Sequence, residues 1–429
     1  MGNYFQFIKR KRIKNFLLLT FTWIIIPLFL VEILMIVFEP YLFKGLYQYD
    51  PDLGFRVRPY INGNNQFGFN DRDYPLETEP GKFRLLVVSD SFNWAGGKDR
   101  NYTALLEKKF DNYYGQNQVE VINVGYPGTH TGEQLAMLKK YGLQYNPNLV
   151  VLGFFVGNDF RDADPERKRI IVNGIYIDIN KKDELVILGY PIIGKSRLLM
   201  FLQQKYKVYQ ELQKAKQDSV KLLSNSLVAS LHLGSTPIFE REKSPGILSK
   251  KAFLQVEKSR LKFCNIKDLL EGKRDENINY IFQSILEMQK LLKSRNIEFV
   301  VAIYPDEYQV NDKLLNEIFA QYDDLKRESY NLTCQQEILS KFLEVNSIPY
   351  IDMLERFKTE QNNRTLYLLR EPHWNSAGNL LAANILFNHL VKDINNFFGK
   401  TPLPTSREVE LTQTKLSHSV FMFWLLIVD

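Results

Sequence analysis

Hydrophobic and polar positions fall into blocks along the chain. The first block is an apolar run from Phe16 to Phe38. As a helix it spans roughly 34 Å, enough to cross the apolar core of a bilayer. Pro40 to Lys82 is rich in Tyr, Gly, Pro, Asp and Asn and predicts a turn-rich neck with short strands. Beyond it, short apolar runs alternate with amphipathic segments. Phe83–Ser89 (FRLLVVS), Val119–Val124 (VEVINV), Leu149–Phe155 (LVVLGFF), Glu298–Tyr304 (EFVVAIY) and Ile348–Ile351 predict five strands. The most continuously apolar of them have the character of parallel strands covered on both faces. Tyr102–Phe110, Thr131–Tyr141 and Leu380–Leu390 predict helices. This alternation predicts a doubly wound α/β sheet of about five strands.

A long insertion, about 164–279, separates the third and fourth strands. It predicts a hairpin at Arg169–Asp178, an apolar stretch near Leu185–Ile193 and a Lys/Gln-rich helical segment, Leu198–Ser224, with a solvated face. Insertions of this size commonly serve as lids or interaction surfaces. After Lys400 the chain is polar until Val420–Val428, nine apolar residues that are too few to span a membrane as a helix. That segment is expected to pack on the body or on the bilayer surface. The blocks divide the chain into a basic tail (1–15), an apolar span (16–38), a neck (39–82), an α/β body (83–398) and a C-terminal tail (399–429). No internal repeat is present.

Composition narrows the class. With 45% hydrophobic and 24% charged residues among 429, the chain is neither disordered nor collagen-like. The formal net charge is +6, but Lys9, Arg10, Lys11, Arg12 and Lys14 come before the apolar run with no acidic residue among them. Placed there, the cluster is a topology signal. It keeps the N-terminus cytoplasmic and sends the remainder outside. The run is longer than a signal-peptide core and no small-residue cleavage site follows it, which predicts an uncleaved signal anchor. Trp23 and Pro27 are tolerated in such a helix. Glu32 is costly at that depth and is expected near an interface or paired with another helix. Without the tail the body is nearly neutral, so no nucleic-acid partner is expected. Cys264 and Cys334 exclude a disulfide framework and a Cys-rich zinc site; one bridge at most is open to them, and buried free thiols are the expectation.

Four segments sit at strand ends or on the last loop, where ligands bind in open α/β sheets. Phe83–Ser89 runs into Asp90-Ser91-Phe92, which sets a serine where a nucleophile can act. Val119–Val124 runs into Gly125-Tyr126-Pro127-Gly128-Thr129, whose glycines let backbone amides approach a ligand. Leu149–Phe155 runs into Gly157-Asn158-Asp159, where an Asn amide can donate to a developing oxyanion. Glu371-Pro372-His373-Trp374 precedes the last helix. Any one of these is usually only a cap or a turn. Their order along the chain is what carries information.

In that order the segments resemble the blocks of the SGNH (GDSL-type) hydrolase superfamily of esterases, lipases and acyltransferases, over roughly Phe83 to Asn388 without the insertion. Tyr49-Asp50-Pro51, Leu53-Gly54-Phe55 and Gly68-Phe69-Asn70 also resemble the neck of membrane-anchored bacterial members. The resemblance implies a three-layer α/β/α fold with Ser91 as nucleophile, His373 as general base and Glu371 orienting the imidazole. It implies an oxyanion hole made by the amides of Ser91 and Gly128 and the Asn158 side chain. Two positions depart from the pattern: Ser89 replaces the usual glycine, and Glu371 replaces the usual aspartate. No metal and no cofactor is expected. Trp94, Tyr126, His130 and Trp374 are candidate substrate-binding residues by proximity. Asp90 and Asp159 are read as turn hydrogen-bonders, and Asp306 and Glu307 as a polar rim. The implied partners are an ester-bearing substrate, on a glycan or lipid, and the membrane. Three functions stay open: an extracytoplasmic ester hydrolase, an O-acyltransferase acting on exported polysaccharide, and a non-catalytic binding or assembly protein on a decayed hydrolase fold. Oligomeric state is open.

Overall fold

In the computed structural model, strands form where apolar runs are continuous. The structure describes residues 13–16, 18–42, 45–163, 169–172, 175–178, 186–187, 190–191, 196–199, 201–202, 205–206, 209 and 248–399. The basic cluster at 9–12, most of the Lys/Gln-rich segment and Val420–Val428 lie outside them. In chain order the strands are β1 (Tyr47–Gln48), β2 (Arg56–Val57), β3 (Phe83–Ser89), β4 (Val119–Gly125), β5 (Leu149–Phe155), β6 (Arg169–Val172), β7 (Ile175–Asp178), β8 (Val186–Ile187), β9 (Tyr190–Pro191), β10 (Glu298–Tyr304) and β11 (Tyr350–Asp352).

Five of them make one parallel sheet in the order β11-β10-β5-β3-β4. Every residue of β3, β4 and β5 is buried. Burial on both faces is why these strands read as apolar runs instead of alternating ones. Leu86, Val88, Ile122, Val124, Val150 and Leu152 face one core, packed by the helices Thr131–Lys140, Asp275–Lys293 and Cys334–Val345. Leu85, Val87, Val119, Val121 and Val151 face the other, packed by Tyr102–Tyr114, Leu354–Gln361 and Ser376–Phe398. The result is three layers, α/β/α. In register, Val87 pairs with Asn123 on one side and Val151 on the other. The C-terminal ends of β3, β4, β5 and β10 therefore share one edge. The chain reverses its direction of strand addition between β3 and β5, and that switch point opens a crevice where open α/β sheets bind ligands.

Some boundaries differ from the sequence expectation. The last strand is Tyr350–Asp352, two residues later than the Ile348–Ile351 run. Pro349 has no N–H to give a ladder and moves the start. The last helix runs from Ser376 to Phe398, well beyond Leu380–Leu390. The hairpin at Arg169–Asp178 is present as β6–β7. Neck residues Val57, Phe69 and Tyr74 are buried in the same core as β3 and β4.

The N-terminal helix is apolar from Ile13 to Phe38, long enough to cross a membrane, with very few of its residues buried. Its turn Phe21–Ile25 is wound as a π-helix just before Pro27, where an imino acid cannot donate to the helix ladder.

The expectation of free thiols is corrected: Cys264 and Cys334 form a disulfide, with Cα atoms 5.7 Å apart. Cys264 closes the 3-10 turn after the helix Lys250–Leu261, and Cys334 opens the helix Cys334–Val345. Folding brings these two ends together, and a sequence separation of 70 gives no sign of it. Closing a loop of that length restricts the unfolded chain and stabilises the fold by about 2–4 kcal/mol. The paired Cys264→Ser/Cys334→Ser variant is expected to lose that amount in urea denaturation, and an unreduced peptide digest of the wild type to contain the linked pair.

A second expectation concerns pH. Burial raises the Glu307 carboxyl to about 7, against the pull of the Asn311 amide. Between about pH 4.5 and 7 the folded state then holds this proton more tightly than the unfolded state. The contribution to stability is full below pH 4.5 and lost as pH rises through 7. Glu307→Gln keeps the Asn311 contact and removes the titration. It is expected to be more stable than wild type at pH 8, by up to about 3 kcal/mol, and to show no such gain at pH 4, read from melting temperatures across that range.

Candidate active site

Three short segments at the shared strand edge meet the loop before the last helix. β3 ends at Ser89, whose hydroxyl donates to the Gly153 carbonyl of β5 at 2.8 Å. Asp90 follows and caps the 3-10 turn Ser91–Asn93 by accepting from the Phe92 amide at 3.0 Å. Ser91 thus opens a turn, where the leading amides have no carbonyl partner inside it. His373 arrives from 282 residues away, and its Nε2 lies 2.7 Å from Ser91 Oγ. Its Nδ1 lies 2.8 Å from Glu371 Oε1. One tautomer serves both contacts: Nδ1–H donates to Glu371, and Nε2 accepts from the Ser91 hydroxyl. Arg370, just before Glu371, has φ 55°. His373 and Glu371 keep about a fifth of their side-chain surface exposed, so the dyad is reachable.

The loop is held on both sides of His373. Leu368 N–H donates to the His373 carbonyl at 2.9 Å, and Tyr367 bridges to Trp374. Asn375 caps the last helix through the Ala377 and Gly378 amides, and its own amide donates to the Thr365 and Tyr367 carbonyls. The Phe92 ring packs edge-on against the imidazole with centroids 5.2 Å apart.

Asn158 follows β5 and stands beside Asp90, donating to Asp90 Oδ2 at 3.2 Å. An amide NH₂ has two hydrogens, so this contact uses one and leaves the other for a ligand. Gly128 has φ 77°, a conformation that favours glycine, and is half-buried. Burial pushes the Asp90 carboxyl up, opposed by the Phe92 amide, the His373 imidazole and the Asn158 amide. Burial and the neighbouring Asp90 hold Asp159 well above the usual carboxylate range. Asp159 accepts from the Phe155 amide at 2.7 Å and so closes its own turn. Asp90 and Asp159 both occupy the turn positions expected of them.

The candidate substrate-binding residues separate. Trp374 is fully buried among Phe92, Tyr304 and Phe357. Tyr126 is fully buried against Phe69 and donates its hydroxyl to the Phe67 carbonyl. His130 is buried and serves as the N-cap of Thr131–Lys140, accepting from the Gly132 amide. All three are buried: Tyr126 and Trp374 belong to the two apolar cores, and His130 caps a helix. Trp94 is half-buried and donates its indole N–H to the Gly125 carbonyl at 2.8 Å.

Two further groups support the site. Asn93 and Asn123 bond each other at 2.8 Å, and the Asn123 amide also reaches the Asn93 and Asn70 carbonyls. Asp71 accepts from the Asn123 backbone at 2.8 Å. The neck thereby ties the serine turn to β4, and the Gly68-Phe69-Asn70 motif marks its place in the sequence. Arg260, from the insertion side, pairs with Glu257 at 2.8 Å and Asp306 at 3.2 Å and lies over the Phe155 ring. Asp306 is fully buried and caps the helix Glu307–Val310, so the expected polar rim is corrected at that residue. A Cβ on Gly157 would overlap the Asp306 carboxylate and the Phe155 ring, which leaves glycine as the residue that fits. Arg260 was missed because it lies in the insertion; an Arg and a Glu three apart on one helix face were its only sign.

A cleft of about 890 Å³ adjoins the loop, lined among others by Leu368, Leu369, Arg370, Asn375, Glu307 and Lys313. Among the described residues no group of three or more His, Cys, Asp or Glu is arranged to hold a metal ion.

Residues 263–415 match the family described as the SGNH hydrolase-like domain of acetyltransferase AlgX. The match holds Glu371 and His373 and begins after Ser91 and Asn158. No curated protein matches the sequence. Among solved structures, an acetyl xylan esterase named AlAXEase is 14% identical, covers 72% of this chain and 100% of its own, and has a TM-score of 0.36. A catalytic mutant of Axe2, an acetylxylan esterase from Geobacillus stearothermophilus, is 12% identical, with coverages of 73% and 96% and a TM-score of 0.37. A lipase/acylhydrolase from Enterococcus faecalis is 12% identical, with coverages of 72% and 96% and a TM-score of 0.34. The family match covers about the last third of the chain, and the five-stranded parallel sheet with the ordered blocks at one edge agrees with an SGNH hydrolase-like fold.

Proposed function

We propose that the protein is a membrane-anchored, extracytoplasmic serine ester hydrolase that works through a Ser91–His373–Glu371 acyl-enzyme, on an acylated surface glycan or lipid. The observation that carries this reading is the paired contact of His373, 2.7 Å to Ser91 and 2.8 Å to Glu371. In the first step His373 Nε2 takes the Ser91 proton as Oγ attacks the ester carbonyl. Glu371 steadies the imidazolium that forms. The second Asn158 hydrogen and the amides of Ser91 and Gly128 receive the oxyanion. The tetrahedral intermediate collapses, the alcohol leaves with the proton from His373, and the acyl group stays on Ser91. Water activated by the same imidazole then releases the acid. If a sugar hydroxyl takes the place of water, the product is a new ester and the enzyme is an O-acyltransferase. The family description, an acetyltransferase, favours keeping that second reading.

The extracytoplasmic placement draws on two observations. One is the apolar helix Ile13–Phe38, preceded by Lys9, Arg10, Lys11 and Arg12 and carrying Lys14 in its first turn. The other is the Cys264–Cys334 disulfide, a bond that persists in oxidising compartments.

The soluble part from about Tyr41 is expected to hydrolyse p-nitrophenyl acetate, with Ser91→Ala at background. Glu371→Gln is expected to lower kcat by up to about 10⁴-fold with KM little changed. Asn158→Ala should lose about 10²–10³-fold in kcat. Equal rates for wild type and Ser91→Ala would remove the catalytic reading. Acylated oligosaccharide, detected by mass spectrometry when acceptor sugars are added, would decide for the transferase.

A further inference from the structure

Glu32 lies six residues before the end of the apolar run, about 9 Å inside it along a helix axis. A lone carboxylate at that depth is expensive. Here it is not alone. Its two oxygens accept from Ser196 Oγ at 2.9 Å, from Leu198 N–H at 2.9 Å and from Arg197 N–H. These donors belong to the insertion, and the described residues at 197–199, 201–202, 205–206 and 209 are helical. Glu32 therefore sits on the first turn of that helix, where amides lack internal acceptors and the dipole is positive. The costly carboxylate and the unpartnered amides satisfy each other. Met35, one turn further on the same face of the anchor, is its buried residue.

Beyond this contact the described part of the segment carries large apolar side chains that are exposed. Leu199, Leu202, Tyr206 and Tyr209 recur at i, i+3, i+7 and i+10, a single stripe, and are 47%, 52%, 61% and 58% exposed. Four large apolar side chains in a row are out of place on a helix facing water. They suit a helix lying in a bilayer interface, where an apolar face sinks about 5–10 Å into the headgroup–acyl boundary. The depth set by Glu32 falls in that range. Tyrosines are the residues that favour this level, and exposed Lys205 can extend its ammonium to the headgroups.

We propose that the insertion segment described at 197–199, 201–202, 205–206 and 209 is a second membrane attachment, docked on the anchor through Glu32 and facing the lipid of the outer leaflet with Leu199, Leu202, Tyr206 and Tyr209. The inference rests on the membrane reading of the N-terminal helix. Continuity with that helix is what commits the stripe to lipid and not to another protein.

The test uses the full chain, with its disulfide intact, in phosphatidylcholine–phosphatidylglycerol vesicles. Single nitroxide labels are placed at Leu202→Cys, at Leu19→Cys in the span and at Lys358→Cys on the body. Collision with dissolved oxygen marks lipid, and collision with a water-soluble nickel chelate marks water. Leu202 is expected to match Leu19, rich in oxygen and poor in nickel, with Lys358 the reverse. Glu32→Ala is expected to raise nickel contact at Leu202 several-fold, and Glu32→Gln, which still accepts hydrogen bonds, to raise it less. Leu202 open to nickel while Leu19 stays protected would overturn the inference and leave the anchor standing. Both labels open to nickel would overturn the anchor and the inference with it. Leu202 shielded from both reagents would mean that protein covers the stripe, which also overturns it. An unchanged Leu202 in Glu32→Ala would remove Glu32 as the docking point.

Discussion

The contact between Ser91 Oγ and His373 Nε2 joins residues 282 positions apart, and the rest of the body is what holds it. Ser91 is placed by β3, a strand hydrogen-bonded on both sides and buried along its whole length. His373 has no strand beneath it. Its direction is set by its neighbours: Trp374 is driven into the core, Asn375 caps the last helix, and the loop closes on itself through Leu368. That helix is in turn pinned to the first helix of the body, where Asn379 accepts from the Tyr102 amide at 2.9 Å. Burial of Trp374 thus points His373 the other way, toward the crevice.

Buried polar groups lie beneath the site and are hydrogen-bonded to one another. Asn70, Asn93 and Asn123 bond one another, Asp71 holds the Asn123 backbone, and Tyr304 donates to the Tyr102 hydroxyl. Burying so many polar atoms stabilises little in net terms, because each gives up water first. What it provides is a single arrangement, since any slip leaves a buried donor or acceptor unmade. Ser89 belongs to this layer. In place of a glycine it contributes a hydroxyl that ties the end of β3 to Gly153 of β5, the two strands that flank the switch point. The crowding of Asp90 and Asp159 is the cost of closing two tight turns side by side.

The sheet was legible because its central strands are covered on both faces, so each reads as one apolar word. Three of the ordered blocks were legible because each follows a strand, and parallel strands put their ends together; the fourth was legible from its place just before the last helix. Side-chain direction around the blocks was not. Trp374, Tyr126 and His130 lie within a few residues of reacting groups, yet point into the layers, and proximity along the chain does not tell which way a residue faces. The disulfide was hidden for a related reason. Its two cysteines become neighbours only because the turn that follows the Arg260 helix meets the start of the Cys334–Val345 helix in the folded chain, and no local pattern encodes that.

The insertion changes meaning once its two ends are followed. It leaves the body just after Gly157-Asn158-Asp159 and returns through the helix Lys250–Leu261. There Arg260 packs over Phe155 and binds Asp306, the residue against which Gly157 is fitted. Exit and return therefore meet at the turn that carries Asn158. Between them the chain reaches Glu32 in the apolar helix. A segment tethered to the anchor at one point and to the Asn158 turn at two is not an ornament on the hydrolase fold.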